Sequence, residues 1–168
     1  MRSAASAGST VGHFPVTEIS RYGPAMSDPF ASLAERPPAP EPSELTQFFW
    51  DGVARGELVI QRCNNCGMYI HEPLPHCRFC LSTDLGSAQV SGRAVLDTFT
   101  IVMQPYHPFF MSKVPYNLSI VELEEQPGLK MVTNVVDCDE ADLTVGMPLV
   151  VTFREAAPGI TLPYFKPA

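Results

Sequence analysis

The chain has 168 residues, of which 45% are hydrophobic and 17% charged, and its formal net charge is −7. That size and apolar fraction suit one modest domain plus a small module, and a mean hydropathy of +0.05 with no apolar run near ~18 residues excludes a membrane-spanning protein. From Ser43 onward eight Lys/Arg stand against fourteen Asp/Glu, so the ordered part carries about −6, which opposes binding to a phosphate backbone through a broad basic surface.

Residues 1–42 show little periodicity and hold seven of the seventeen prolines. The stretch from Arg36 to Pro42 reads as extended, polyproline-like linker, and the whole segment is expected to be a disordered or extended arm. Met1–Ser6 lacks the apolar core of a secretory signal, so the expected location is the cytoplasm. A helix is expected from Ser43, whose hydroxyl can cap the first turn, with Gly56 as its stop. Leu45, Phe48, Phe49 and Val53 fall at helical spacing, with Trp50 on the flank. The aromatic residues Phe48, Phe49 and Trp50 either pack on the protein's own sheet or dock a partner, because exposed aromatic patches mark interfaces.

Two Cys-x-x-Cys pairs follow, Cys63/Cys66 and Cys77/Cys80, with ten residues between Cys66 and Cys77. Two residues between thiolates let a tight knuckle aim both sulfurs at one ion, and two knuckles complete a tetrahedron. Four thiolates leave no open coordination position, so the expected ion is structural zinc. Iron uses similar ligands and remains open at this point. Two disulfides need an oxidising compartment, and a redox dithiol needs one such pair beside a βαβ pattern; neither condition is visible. Strands are expected at Glu57–Arg62 and Met68–His71, on either side of the first knuckle. His71 and His76 lie near the ligands and read as neighbours of a filled site rather than as members of it.

Beyond Gly86 the chain turns to short β-rich runs: Ala88–Val90, Ala94–Met103, Tyr116–Glu124, Leu129–Cys138, Leu149–Glu155 and a last edge at Leu162–Phe165. Turns are marked at Glu124–Gly128 and Gly146–Pro148, and no long helical pattern intervenes. Five antiparallel strands of this length suit a small closed barrel of OB-fold type. The expected fold class is therefore mainly β: an N-terminal helix and a rubredoxin-like zinc ribbon over 43–86, then a five-stranded OB-fold barrel over 87–168. The loop Gln104–Lys113 carries Tyr106, Phe109 and Phe110, either as a lid on the barrel's own end or as a surface for an acyl chain or partner. Lys113, at its end, is the best-placed cation for a phosphate. Cys138 sits among acids, in a setting that makes an inert thiol.

A resemblance extends over residues 43–168. Phe49-Trp50, Gly56-Glu57-Leu58, Gln61-Arg62-Cys63-x-x-Cys66-Gly67 and Pro75-x-Cys77-x-x-Cys80 stand in order, followed by Gly92-x-Ala94-x-Leu96, Pro115–Leu123 and Val145–Phe153. That succession resembles the acyl-CoA-associated zinc-ribbon/OB-fold family, whose members accompany thiolases and thiolase-like lyases. The resemblance implies a non-catalytic accessory subunit that binds a thiolase-like enzyme, thiolase or retro-aldol lyase, and helps to enclose its acyl-CoA substrate in steroid or other lipid catabolism. It implies structural zinc on Cys63, Cys66, Cys77 and Cys80, and no catalytic residue in this chain. Leu74 stands where the family often has a basic residue, and the hairpin lengthened to Glu125–Gly128 is expected to change only a turn. The rival readings are a nucleic-acid-binding OB module, suggested by fold and opposed by charge, and a free-standing acyl-CoA hydrolase or carrier, opposed by the lack of a catalytic set.

Overall fold

A computed structural model describes residues 33, 35 and 37–168; the expectations for 1–32, 34 and 36 lie outside the described residues. Helix α1 runs Gln47–Arg55, one turn later than expected. Ser43 closes a tight turn instead of capping the helix. Its carbonyl accepts from the Thr46 and Gln47 amides at 2.9 and 2.8 Å, and its own N–H donates to Thr46 Oγ1 at 2.9 Å. Thr46 is the N-cap residue, but its hydroxyl is engaged with Ser43 and caps no helical amide. The helix ends at Gly56, in the left-handed conformation. Gly52 looks like a weak point in a short helix, yet it is required there. A Cβ would lie 2.7 Å from Val59 Cγ2 and 2.9 Å from the Glu57 carbonyl, so only glycine lets the next strand pass so close.

Three antiparallel strands form the first sheet: β1 (Val59–Cys63), β2 (Tyr69–Ile70) and β3 (Leu85–Gln89), in the order β2-β1-β3. Strand β3 pairs with β1 over its full length, from Val59↔Gln89 to Cys63↔Leu85. The run near Ala88 thus belongs to the cysteine-bearing sheet.

The second sheet holds β4 (Arg93–Val102), β5 (Tyr116–Leu123), β6 (Lys130–Thr133), β7 (Pro148–Ala157) and β8 (Ile160–Pro167) in the order β6-β5-β4-β7-β8. It curls until its two edges meet, and a parallel bridge pairs Val135 with Phe165. The Val136 amide donates to the Phe165 carbonyl at 2.7 Å, and the Phe165 amide to the Asn134 carbonyl at 3.1 Å. This is the connectivity of a small OB-fold barrel. The expected strand Leu129–Cys138 is shorter because Asn134–Val136 leaves β5 to make that closure, after which Asp137, at φ 57°, turns the chain away. No helix among the described residues is long and apolar enough to cross a membrane.

One hydrophobic core joins the parts. Phe49 and Val53 of α1, Leu58 and Ile60 of the first sheet, and Leu96, Val121, Leu149 and Phe165 of the barrel belong to a single buried cluster. Polar clamps reinforce the joints. Gln126, 8% exposed, uses Oε1 to accept from the Tyr69 amide at 2.8 Å and Nε2 to donate to the Tyr69 carbonyl at 3.2 Å. Gln61 clamps Leu74 in the same way, at 2.9 Å in both directions, and Asn117 clamps Val135 at the barrel closure, at 2.8 and 2.7 Å. Each side-chain amide thus completes a hydrogen-bonded pair that a neighbouring strand would otherwise supply.

Candidate metal centre and adjoining surfaces

The two knuckles are built alike. The Gly67 amide donates to Cys63 O and the Leu81 amide to Cys77 O, each at 2.9 Å. The Cys63 and Cys77 amides donate forward to Met68 O and Ser82 O, at 2.9 and 2.8 Å. Both knuckles turn through a residue of positive φ, Gly67 at 74° and Leu81 at 61°. Glycine is at ease there, whereas Leu81 carries a Cβ into the left-handed region.

These turns bring Cys63, Cys66, Cys77 and Cys80 together with all Sγ atoms within 4.8 Å of one another. The Cys63–Cys80 and Cys66–Cys77 sulfurs are each 3.6 Å apart. A disulfide would need about 2.05 Å. A tetrahedron of sulfurs about 2.3 Å from a zinc ion has edges of about 3.8 Å, so the observed separations fit. No coordination position is left for substrate, and the donor set suits structural zinc, as expected. Cys63, Ile70 and Cys77 are themselves the small core of this module, flanked by Leu74 and Leu85. The metal therefore supplies what so small a core cannot.

Four thiols this close cannot all ionise without a cation. At Cys66 a backbone hydrogen bond from Met68 works to lower the pKa, but desolvation and the thiols of Cys80, Cys63 and Cys77 prevail and push it up to about 12. Cys80 is drawn down to about 6, first by the Asn65 side chain, whose Nδ2 lies 3.6 Å from its sulfur, and then by the Ser82 backbone. Asn65 was not singled out from the sequence, although an amide side chain inside a Cys-x-x-Cys is a readable signal for N–H···S support. His71 and His76 are outside the sulfur cluster. His71 is 5.8 Å from the Phe49 ring, and burial lowers its pKa against the opposing pull of Glu72. At Cys138 desolvation, then Asp142 and Asp139, push the thiol up.

The three aromatic residues of α1 do not share one face. Consecutive helical positions are about 100° apart, so Phe48, Phe49 and Trp50 diverge. Phe49 is 6% exposed and enters the core. Phe48 borders a hollow beside Gln61, Leu74 and Leu85, while Trp50 faces Gly159, Ile160 and Thr161 at the β7–β8 turn. Phe49 is thus unavailable to a partner, whereas Phe48 and Trp50 are half-buried. The loop between β4 and β5 contains a short 3-10 turn, Pro108–Phe110, begun by His107 Nδ1 accepting from the Phe109 amide at 3.2 Å. Phe109 and Phe110 meet edge to face at 5.1 Å, Phe110 lies 5.8 Å from Tyr116, and Lys113 Nζ sits 4.1 Å above the Phe109 ring. Tyr106 stands fully in solvent, with Met103 and Met111 also exposed. Phe109 and Lys113 line a hollow that shares Ile160 with the one beside Trp50, so helix and loop flank the same hairpin.

A further cleft of about 480 Å³ was not foreseen. It lies where β6 and β8 splay apart, roofed by α1 and by the chain leaving β2. Its lining residues are scattered from 40 to 164, so no local pattern announces it.

Comparison with known proteins gives two family matches: residues 50–86 match the model described as ChsH2, rubredoxin-like zinc ribbon domain, and residues 87–154 the model described as ChsH2, C-terminal OB-fold domain. The chain is similar to a probable enoyl-CoA hydratase alpha subunit of Thermomonospora curvata, 35% identical over 131 residues, covering 78% of this chain and 40% of that protein. It is also similar to the 3-oxo-4,17-pregnadiene-20-carboxyl-CoA hydratase alpha subunit of Mycobacterium tuberculosis, 35% identical over 114 residues, or 68% of this chain and 35% of that one. The chain spans well under half the length of these two relatives. Among solved structures, a chain of the Ltp2-ChsH2(DUF35) aldolase superposes with a TM-score of 0.68 at 34% identity, over 76% of this chain and 98% of that one. With its ribbon and its barrel both matched, in that order, the chain belongs to the ChsH2-type DUF35 family.

Proposed function

We propose that this protein is a non-catalytic accessory subunit that binds a thiolase-like enzyme, a thiolase or a retro-aldol lyase, and helps to enclose its acyl-CoA substrate. The observation that carries this reading is the likeness to the aldolase chain across nearly all of that chain's length. Beyond the N-terminal segment 1–42, two modules divide the work: the helix and zinc ribbon from 43, whose sheet takes in β3 up to Gln89, as a platform, and the OB-fold that follows to 168. The partner surface is the β4–β5 loop with Tyr106, Phe109 and Phe110, continued across the β7–β8 hairpin to Trp50, with Phe48 on the far flank of α1. Lys113 is the cation offered to a CoA phosphate. The hydratase subunits and the pregnadiene-carboxyl-CoA named for one of them support acyl-CoA and steroid or related lipid catabolism as the setting. The cytoplasm is the proposed location.

The test is a tagged pull-down from the native host, followed by assay of the captured thiolase-like enzyme with and without this chain. Acyl-CoA cleavage should require both, and this chain alone should turn over no acyl-CoA ester. Phe110→Ala should weaken capture about thirtyfold, the ~2 kcal/mol of an aromatic anchor. Tyr106 is fully exposed among the described residues, so Tyr106→Ala should weaken capture with no change in Tm. A partner equally soluble and active alone refutes the accessory reading. Hydration is the second reading, favoured by the two hydratase subunits, and an enoyl-CoA assay of the same captured complex decides between them.

A further inference from the structure

The cleft between β6 and β8 is a built cavity with a distinctive chemical character. It is lined by Met131, Thr133 and Asn134 on one strand, with Val132 at the lip, and by Leu162–Tyr164 on the other, next to the closure at Val135 and Phe165. Thr133 Oγ1 donates to the Pro163 carbonyl at 3.2 Å and ties the two edges within the cleft. Pro163 offers no N–H, so that edge presents little to a further strand and the opening is left to side chains. The roof is Phe49 and Trp50 of α1, and the end wall is His71 and Pro73. Among the described residues no lysine or arginine lines the cleft, and its acids, Glu41 and Glu72, are exposed. Burial keeps the two titratable groups within it uncharged: it lowers the His71 pKa against Glu72, and raises that of Tyr164 against Arg154. Neutral donors and acceptors on apolar walls at this volume are the usual makeup of a small-molecule site.

We infer that the cleft binds an uncharged, mostly hydrocarbon group bearing a hydroxyl or carbonyl oxygen, and rejects anions. A carboxylate or phosphate entering it would lose its hydration and meet no cation among the described residues, a cost that a neutral oxygen does not suffer. Such a group comes either from a free neutral lipid or from the acyl end of a thioester whose CoA remains outside. The inference stands apart from the partner reading, since the cleft is formed by this chain alone.

Trp50 is the protein's one tryptophan and lines the cleft, so its fluorescence reports occupancy directly. The full chain with its zinc is titrated with 1-decanol, with decanoate at pH 8 and with free CoA. Decanol should shift the Trp50 emission saturably, decanoate should bind at least about tenfold more weakly, and CoA should leave the emission unchanged. Val132 is 60% exposed at the lip, so variants there spare the fold. Val132→Glu should weaken decanol about tenfold or more, while Val132→Ala stays within about twofold. Competition of decanoyl-CoA with decanol assigns the cleft to a thioester's acyl end; lack of competition assigns it to a free lipid. No saturable response to decanol, equal affinity for decanoate, or wild-type binding by Val132→Glu overturns the inference, and none of these bears on capture of the thiolase-like partner.

Discussion

Removing the Gln126 amide tests how the ribbon is fastened to the barrel. Tyr69 pairs with Arg62 of β1 on one side, and the Gln126 side chain takes the place of a strand on the other. Gln126→Ala leaves the outward N–H and C=O of Tyr69 without partners at a half-buried site. At the low end of the usual range each costs about 1 kcal/mol. The lost methylene contacts of a side chain only 8% exposed add about 1 kcal/mol more, for about 3 kcal/mol in total. For a chain of this size that lowers Tm by about 6–12 °C. Gln126→Met keeps the length and apolar volume, so it isolates the hydrogen bonds and should lose about 2 kcal/mol. Thermal unfolding followed through Trp50, with hydrogen exchange read at the Tyr69 amide, measures both. Zinc content should be unchanged in each variant. If Gln126→Met is as stable as the wild type and the Tyr69 amide exchanges no faster, the clamp contributes nothing and the reasoning fails.

Purified protein should carry one zinc per chain by elemental analysis, and Cys77→Ser should cut retained zinc about tenfold or more and loosen the ribbon. Asp137 is held below the usual carboxylate range, chiefly by its hydrogen bond from Arg154. Because its folded pKa is depressed from 3.8, that contribution is present above the unfolded value and fades as pH falls through the lower folded one. Arg154→Gln should therefore change stability at neutral pH more than in strong acid, as denaturant titrations at several pH values would show. Single-stranded oligonucleotides should not bind at physiological salt; submicromolar, salt-sensitive binding in an anisotropy titration would reinstate the nucleic-acid reading.

The metal centre was legible because four cysteines at two short spacings state a geometry by themselves. The barrel was legible because β4, β5 and β7 are long and β-rich, and strand number and turns sufficed to suggest closure. The trouble lay where a residue's partner is remote. Leu85-Gly86-Ser87-Ala88-Gln89 has almost no apolar alternation, and only its pairing with β1 makes it a strand of the first sheet. Gln126 looked like part of a turn, and its role depends on Tyr69, 57 residues earlier. Phe48, Phe49 and Trp50 were grouped as one aromatic face with Trp50 on its flank, yet the rotation of about 100° between neighbours sends only Phe49 into the core. The cleft was invisible because it is the space left by two strands that diverge.

The cysteines alternate in exposure: Cys63 and Cys77 are buried, Cys66 and Cys80 reach solvent. Each knuckle therefore contributes one inner and one outer sulfur. A chelator or alkylating reagent meets Cys66 and Cys80 first, and the pair it leaves behind comes from two different knuckles. Release of zinc should thus pass through a two-sulfur state that still ties the knuckles together. Mild chelation should be reversible on adding zinc back, while modification of either outer thiol makes the loss permanent.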